Sequence, residues 1–152
     1  MPEIDITEPE PSVLVIAAPA LLRRRIVAAL DFDRLPVTAT GEDIDDVVGA
    51  PTARRAAVIV AAGADGDALT GFLGELRREL PEARIVLVFE RVWRGQVRWA
   101  LRAGATAAVT IGQIETGLAL AVRAVALGLV VVPGGMRERL LDAECNSATQ
   151  AE

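Results

Sequence analysis

Five short apolar runs, each followed by a segment with apolar residues at helical spacing, constrain this chain more than any other feature. The runs are VLVIAA (13–18), LPVTAT (35–40), AAVIVAA (56–62), ARIVLVFE (83–90) and ATAAVTI (105–111). The segments that follow are LLRRRIVAALD (21–31), EDIDDVVGA (42–50), DALTGFLGELRREL (67–80), WRGQVRWALRAG (93–104) and QIETGLALAVRAVALG (113–128). In the first segment Leu22, Ile26, Ala29 and Leu30 recur at the period of a helix face. The third is acidic early and basic late, and Pro81 just beyond it fits a helix stop. Apolar runs that do not alternate with polar residues belong to strands covered on both faces. Strands that each feed a helix pair in parallel. The pattern therefore predicts an α/β fold with a doubly wound parallel sheet.

One domain accounts for the length: 152 residues bury roughly 68–70% of the surface that the unfolded chain exposes. The chain has no His, no Tyr and no Lys, so all 16 of its cationic side chains are Arg. Without His it lacks the usual physiological general base and the commonest metal ligand. Its one Cys, Cys145, has no internal partner, which points to a reducing, cytoplasmic compartment. The acidic start MPEIDITEPEPS is not a secretory signal. The longest apolar run, LALAVRAVALGLVVVP (118–133), is broken by Arg123 and Gly128 and falls short of the ~20 residues that span a bilayer. No membrane association is expected. A net charge of −5 is a poor footing for direct contact with a phosphate backbone.

In open α/β sheets ligands bind at the carboxyl ends of the strands. Here the third run, within AVIVAAGADGDAL (57–69), ends in Ala61 and Ala62. The turn after the first run, AAPALL, has none of the glycines that a dinucleotide-binding loop needs. A phosphate-cradling loop would need Lys, and a serine hydrolase His. No catalytic residues, metal ligands or cofactor are expected, and the chain does not read as an enzyme.

Three stretches resemble the receiver domain of bacterial response regulators, most closely the NarL/FixJ family, whose members carry a LuxR-type helix-turn-helix. They are VLVIAAPALLRRRIVAAL (13–30), ALRAGATAAVTI (100–111) and LALAVRAVALGLVVVPGGMRERL (118–140). The resemblance spans about residues 12–142. It implies a five-stranded (βα)5 flavodoxin-like sheet of order 2-1-3-4-5 over residues 12–128, after a disordered lead, 1–11. A linker or tail, 129–152, would hold a short helix at about 135–143 and lead to a DNA-binding domain absent from this chain.

Laid on this sequence, the family's phosphorylation chemistry is missing. The acidic pair that holds Mg²⁺ falls on Ala17 and Ala18, and the phosphoryl-accepting Asp on Ala61. The hydroxyl-bearing residue after the fourth strand falls on Phe89, the Lys after the fifth on Ile111, and the aromatic switch residue on Ala108. Hard cations need oxygen ligands, and an acyl phosphate needs a carboxylate nucleophile. Displaced acids do not repair the set: Asp65 lies four residues past the expected acceptor, roughly 13 Å along an extended chain. Neither it, Asp67 nor Glu90 would find an acidic pair or a Lys opposite.

Two functional readings remain open. One is a phosphorylation-independent regulatory domain in transcription control, acting as a homodimer or through a partner protein, with DNA contacted only by another domain. The other is a sensor that takes a small apolar ligand where the phosphorylation pocket would be, among Phe89, Ile111, Ala17, Ala18 and Ala61. Against the second, Phe89 also suits a simple plug. In the resembled family the first and last helices often form a two-fold surface. Leu22, Arg25, Leu118, Leu120 and Val122 are the corresponding candidates, unless the breadth of that apolar face only covers the sheet. Arg91, Arg94, Arg98 and Arg102 fall on one helical stripe, which suits an acidic partner or a plain solvated face. Trp93 and Trp99 are expected to pack.

Overall fold

A computed structural model describes residues 10–63, 66–91 and 94–133. The chain runs β1 (Val13–Ala17), α1 (Ala20–Phe32), β2 (Val37–Gly41), α2 (Ile44–Val48), β3 (Val58–Ala62), α3 (Gly66–Glu79), β4 (Arg84–Phe89), α4 (Arg94–Arg102), β5 (Ala107–Thr110) and α5 (Ala119–Ala126). The five strands are all parallel, in the order β2-β1-β3-β4-β5, as expected. The first nine residues of the expected lead, and the expected helix at 135–143, lie outside the described residues.

The strands are apolar on both faces, but unequally so. Side chains of successive strand residues point to opposite sides. Val13, Val15, Ala17, Val58, Val60, Val86, Val88, Ala107 and Val109 face α1 and α5. Leu14, Ile16, Ile59, Ala61, Ile85, Leu87, Phe89 and Ala108 face the side of α2, α3 and α4. Short, β-branched Val on one side thus meets two helices, and longer Leu and Ile on the other meet three. β2, at an edge, is only partly buried, which matches the thinner apolar content of its run.

Local signals set several boundaries. Asp43 caps α2 by accepting from the Asp46 backbone, and the Asp46 carboxylate returns a bond to the Asp43 backbone. That box starts α2 two residues later than the run of acids suggests, and the helix ends by Gly49, giving Ile44–Val48 in place of 42–50. The expected helix at 113–128 is not a single α-helix: a 3₁₀ turn (Ile111–Gln113) and a π turn (Ile114–Leu118) precede α5. Arg91 lies ahead of α4, so it does not extend the expected arginine stripe. Of the other members, Arg98 is half-buried and Arg102 exposed, and the side chain of Arg94 lies outside the described residues. Trp99 packs against the α2–α4 core, while Trp93 lies outside the described residues.

Guanidinium groups tie the layers together by donating to backbone carbonyls. Arg23 reaches Ala17 O (3.0 Å), Arg25 Ile111 O (3.0 Å), Arg77 Ala103 O (3.3 Å), Arg84 Val125 O (2.5 Å) and Arg123 Asp33 O (2.6 Å). Arg123 also pairs with Glu10, so the end of the expected lead rests on α5.

Candidate functional site at the carboxyl ends of the strands

The ends of β1, β3 and β4 lie side by side. Ala61 is in register between Ile16 and Leu87, and Ala62 between Ala17 and Val88. Every one of these side chains is hydrocarbon. Ala61 and Phe89 face the same side and line a common void with Leu69 and Phe72 of α3, whose volume is only about 10 Å³. That is room for roughly one water molecule. Phe89 is buried, and its ring packs in the same core as Ala61.

The six positions on which the resemblance lays the phosphorylation site divide between the two faces of the sheet. Ala61, Phe89 and Ala108 belong to the α2–α4 side. Ala17 belongs to the α1–α5 side, with Ile111 packed at its margin. Ile111 opens the 3₁₀ turn after β5, and its carbonyl accepts from Arg25. Ala18 starts the turn into α1 and approaches Gly63 so closely that a Cβ on Gly63 would sit 2.7 Å from the Ala18 carbonyl oxygen. Gly63 itself has φ of +99°, a conformation open to glycine at little cost. The β1 and β3 loops thus close on each other through backbone.

Mg²⁺ of the kind a receiver binds does not fit this donor set. Ala17, Ala18 and Ala61 present methyl groups where a hard cation needs carboxylate oxygens. Among the described residues no cluster of three acidic, Cys or His side chains could hold a metal. Glu90 is exposed just past β4. Asp65 lies outside the described residues, and Asp67 lies in α3 with its side chain also outside them.

The outer surface of α1 and α5 differs from the sequence expectation. Leu118 and Val122 are fully buried against the sheet and belong to the core, not to a contact surface. Leu118, Val122 and Val125 recur at ordinary helical spacing and all pack against the sheet. Leu22 is half-buried, and Arg25 is exposed and paired with Glu115. Leu120 is 66% exposed. Sequence reasoning missed Leu21 (76%), Phe32 (87%) and Leu127 (72%). Spacing could have found them: Leu21 and Phe32 are about three helical turns apart, and Leu120 and Leu127 about two, each pair opposite its helix's buried stripe.

No family model and no curated protein matches the sequence. Solved structures do. The receiver domain of RcsB from Salmonella enterica serovar Typhimurium, in its apo form, is 18% identical, with a TM-score of 0.77 over 88% of this chain and 99% of that one. The signal receiver domain of NarL from Mycobacterium tuberculosis is 22% identical, with a TM-score of 0.67 over 80% and 99%. RcsB dimers bound to two parallel DNAs match at 18% identity and a TM-score of 0.73, over 88% of this chain and 69% of that one. The chain has the fold of response-regulator receiver domains.

Proposed function

We propose that this chain is a phosphorylation-independent receiver-like regulatory domain of the NarL/FixJ type, which signals by association and not by phosphate chemistry. The observation that carries the reading is the filled strand end. Methyl and phenyl groups stand where the resemblance would lay the acidic pair, acceptor and hydroxyl, and only about 10 Å³ is open beside Ala61 and Phe89. A two-state fold without its phosphate input is biased by whatever binds one state better, and here that is a second copy. Supporting this, Leu21 and Phe32 on α1 and Leu120 and Leu127 on α5 leave large apolar side chains in solvent, and such patches mark contact surfaces. α1 is joined by the Arg25–Glu115 pair to the π turn that leads into α5, and α5 meets the end of α1 through Arg123, so both helices form one face. RcsB is a dimer on DNA in the matching structure. The small void speaks against a ligand at the strand ends.

Light scattering on the full chain tests the proposal. The expected mass is twice the protomer's 16.0 kDa, falling to one protomer in the double variant Leu120→Asp, Leu127→Asp. Acetyl phosphate with Mg²⁺ should leave the intact mass unchanged. A monomer at high concentration overturns the association claim, and a phosphoryl adduct overturns the claim of phosphate independence.

A further inference from the structure

Past α5 the chain turns back on itself and joins the sheet. Gly128 has φ of +92°; its N–H donates to Val125 O (3.0 Å) and that of Leu129 to Ala124 O (3.0 Å). These two bonds are the pattern of a glycine-terminated helix end. Arg84, from the first position of β4, donates to the same Val125 carbonyl and lies against Gly128. The segment that emerges runs parallel to β5. Val131 N–H donates to Thr106 O (3.2 Å), Ala108 N–H donates to Val131 O (3.0 Å), and Val131 is in register with Ala107.

The side chains follow the pleat of the sheet. Val131, opposite Ala107, packs on the α1–α5 side as Ala107 does. Val132, the next residue, packs on the α2–α4 side as Ala108 does. Pro133 is buried, while Leu129 and Val130 are exposed. A proline at the end of the pairing has no N–H to offer a further rung.

We infer that residues 129–133 form an edge strap: a short sixth strand that occupies the open hydrogen-bonding edge of β5 and opens separately from the core. Unpaired edges invite strand addition from other chains, and the strap covers the start of this one at Ala107. It also fixes the exit of the chain. Parallel to β5, it carries the chain to Pro133 in the direction of the carboxyl ends of the strands. Its ties are two backbone bonds and three partly or fully buried side chains, far fewer than hold β3 or β4. Local opening is drawn from such lightly held segments.

Amide hydrogen exchange on the full chain, resolved by residue, tests the strap independently of dimerisation. In the unmodified protein the amides of Ala108 and Val131 should be protected, yet less than those of Val60 and Val86. Val131→Pro removes the donor, and Val132→Asp places a charge on the packed side. Each should speed exchange at Ala108 by about tenfold or more while leaving Val60 and Val86 unchanged. Val130→Asp, on the exposed side, should leave Ala108 unchanged. The inference is overturned if Ala108 exchanges freely in the unmodified protein, if neither variant alters it, or if Val60 and Val86 lose protection in step with it.

Discussion

Arg25 and Glu115 stand ninety residues apart in sequence and meet as a two-pronged ion pair. Arg25 Nε and Nη2 donate to the two carboxylate oxygens, and Nη2 donates as well to the Ile111 carbonyl. The pair fastens the middle of α1 to the turn that follows β5, at the point where the chain passes through 3₁₀ and π geometry before settling into α5. One planar guanidinium serves all three acceptors, which an ammonium cannot do with the same geometry.

This pair gives stability a defined dependence on pH. The hydrogen bonds from Arg25, helped by a backbone N–H, hold the Glu115 carboxyl at about 2, below its ordinary 4.5. A depressed carboxyl stabilises the fold above its unfolded value, and that contribution fades as pH falls from about 4.5 through 2. Glu115→Gln should therefore melt below the unmodified protein at neutral pH, with the gap closing toward pH 2. Both side chains are about half-exposed, so the gap should be small and should narrow further in high salt. Thermal melts across pH 2–7 at two salt concentrations check both trends.

An acid placed at the end of β3 should harm the fold and should not become a phosphoryl acceptor. Ala61→Asp would bury a carboxylate between Ile16 and Leu87, neither of which can pair with it. An unpaired buried charge costs about 3–5 kcal/mol at neutral pH. Burial raises the folded carboxyl above its unfolded value of about 3.9, so the cost should appear as pH rises past 4 and be small below it. Urea unfolding at pH 4 and pH 7 measures the difference, and acetyl phosphate with Mg²⁺ should still leave the variant unlabelled.

Phe89 is the residue whose removal should turn a filled strand end into a binding cavity. Phe89→Ala deletes a buried ring beside a void that is already present, at a cost of about 3–5 kcal/mol. Apolar cavities of this kind stay dry and accept benzene. Benzene should raise the melting temperature of the variant and leave the unmodified protein unmoved.

The strand runs and their crossover helices were legible because both depend on local periodicity. Strands buried on two faces read as unbroken apolar runs, and the acidic Asp43 and the break at Pro81 mark their helix ends. The strand order came from the resemblance, since periodicity says nothing about which strands are neighbours. The proposed loss of phosphate chemistry rests on residue identity at Ala17, Ala18, Ala61, Phe89 and Ile111, laid on the family pattern by the resemblance. What failed was the phase of the last helix. Every residue from Leu118 to Val122 is apolar, so no stripe stands out, and Leu118 and Val122 read as candidates for the surface although their helical spacing with Ile114 and Val125 packs them against the sheet. The pairing of Val131 with β5 depends on the turn at Gly128 bringing it alongside, a relation between segments that no single window contains.

The arginine ties have a chemical consequence. With no lysine in the sequence, reagents that acylate or cross-link side-chain amines find no target among these anchors. A dicarbonyl that condenses with guanidinium would strike several loops together, at Ala17, Ile111, Ala103, Val125 and Asp33, so one reagent class should pass over the fold and another should unpick it at many seams.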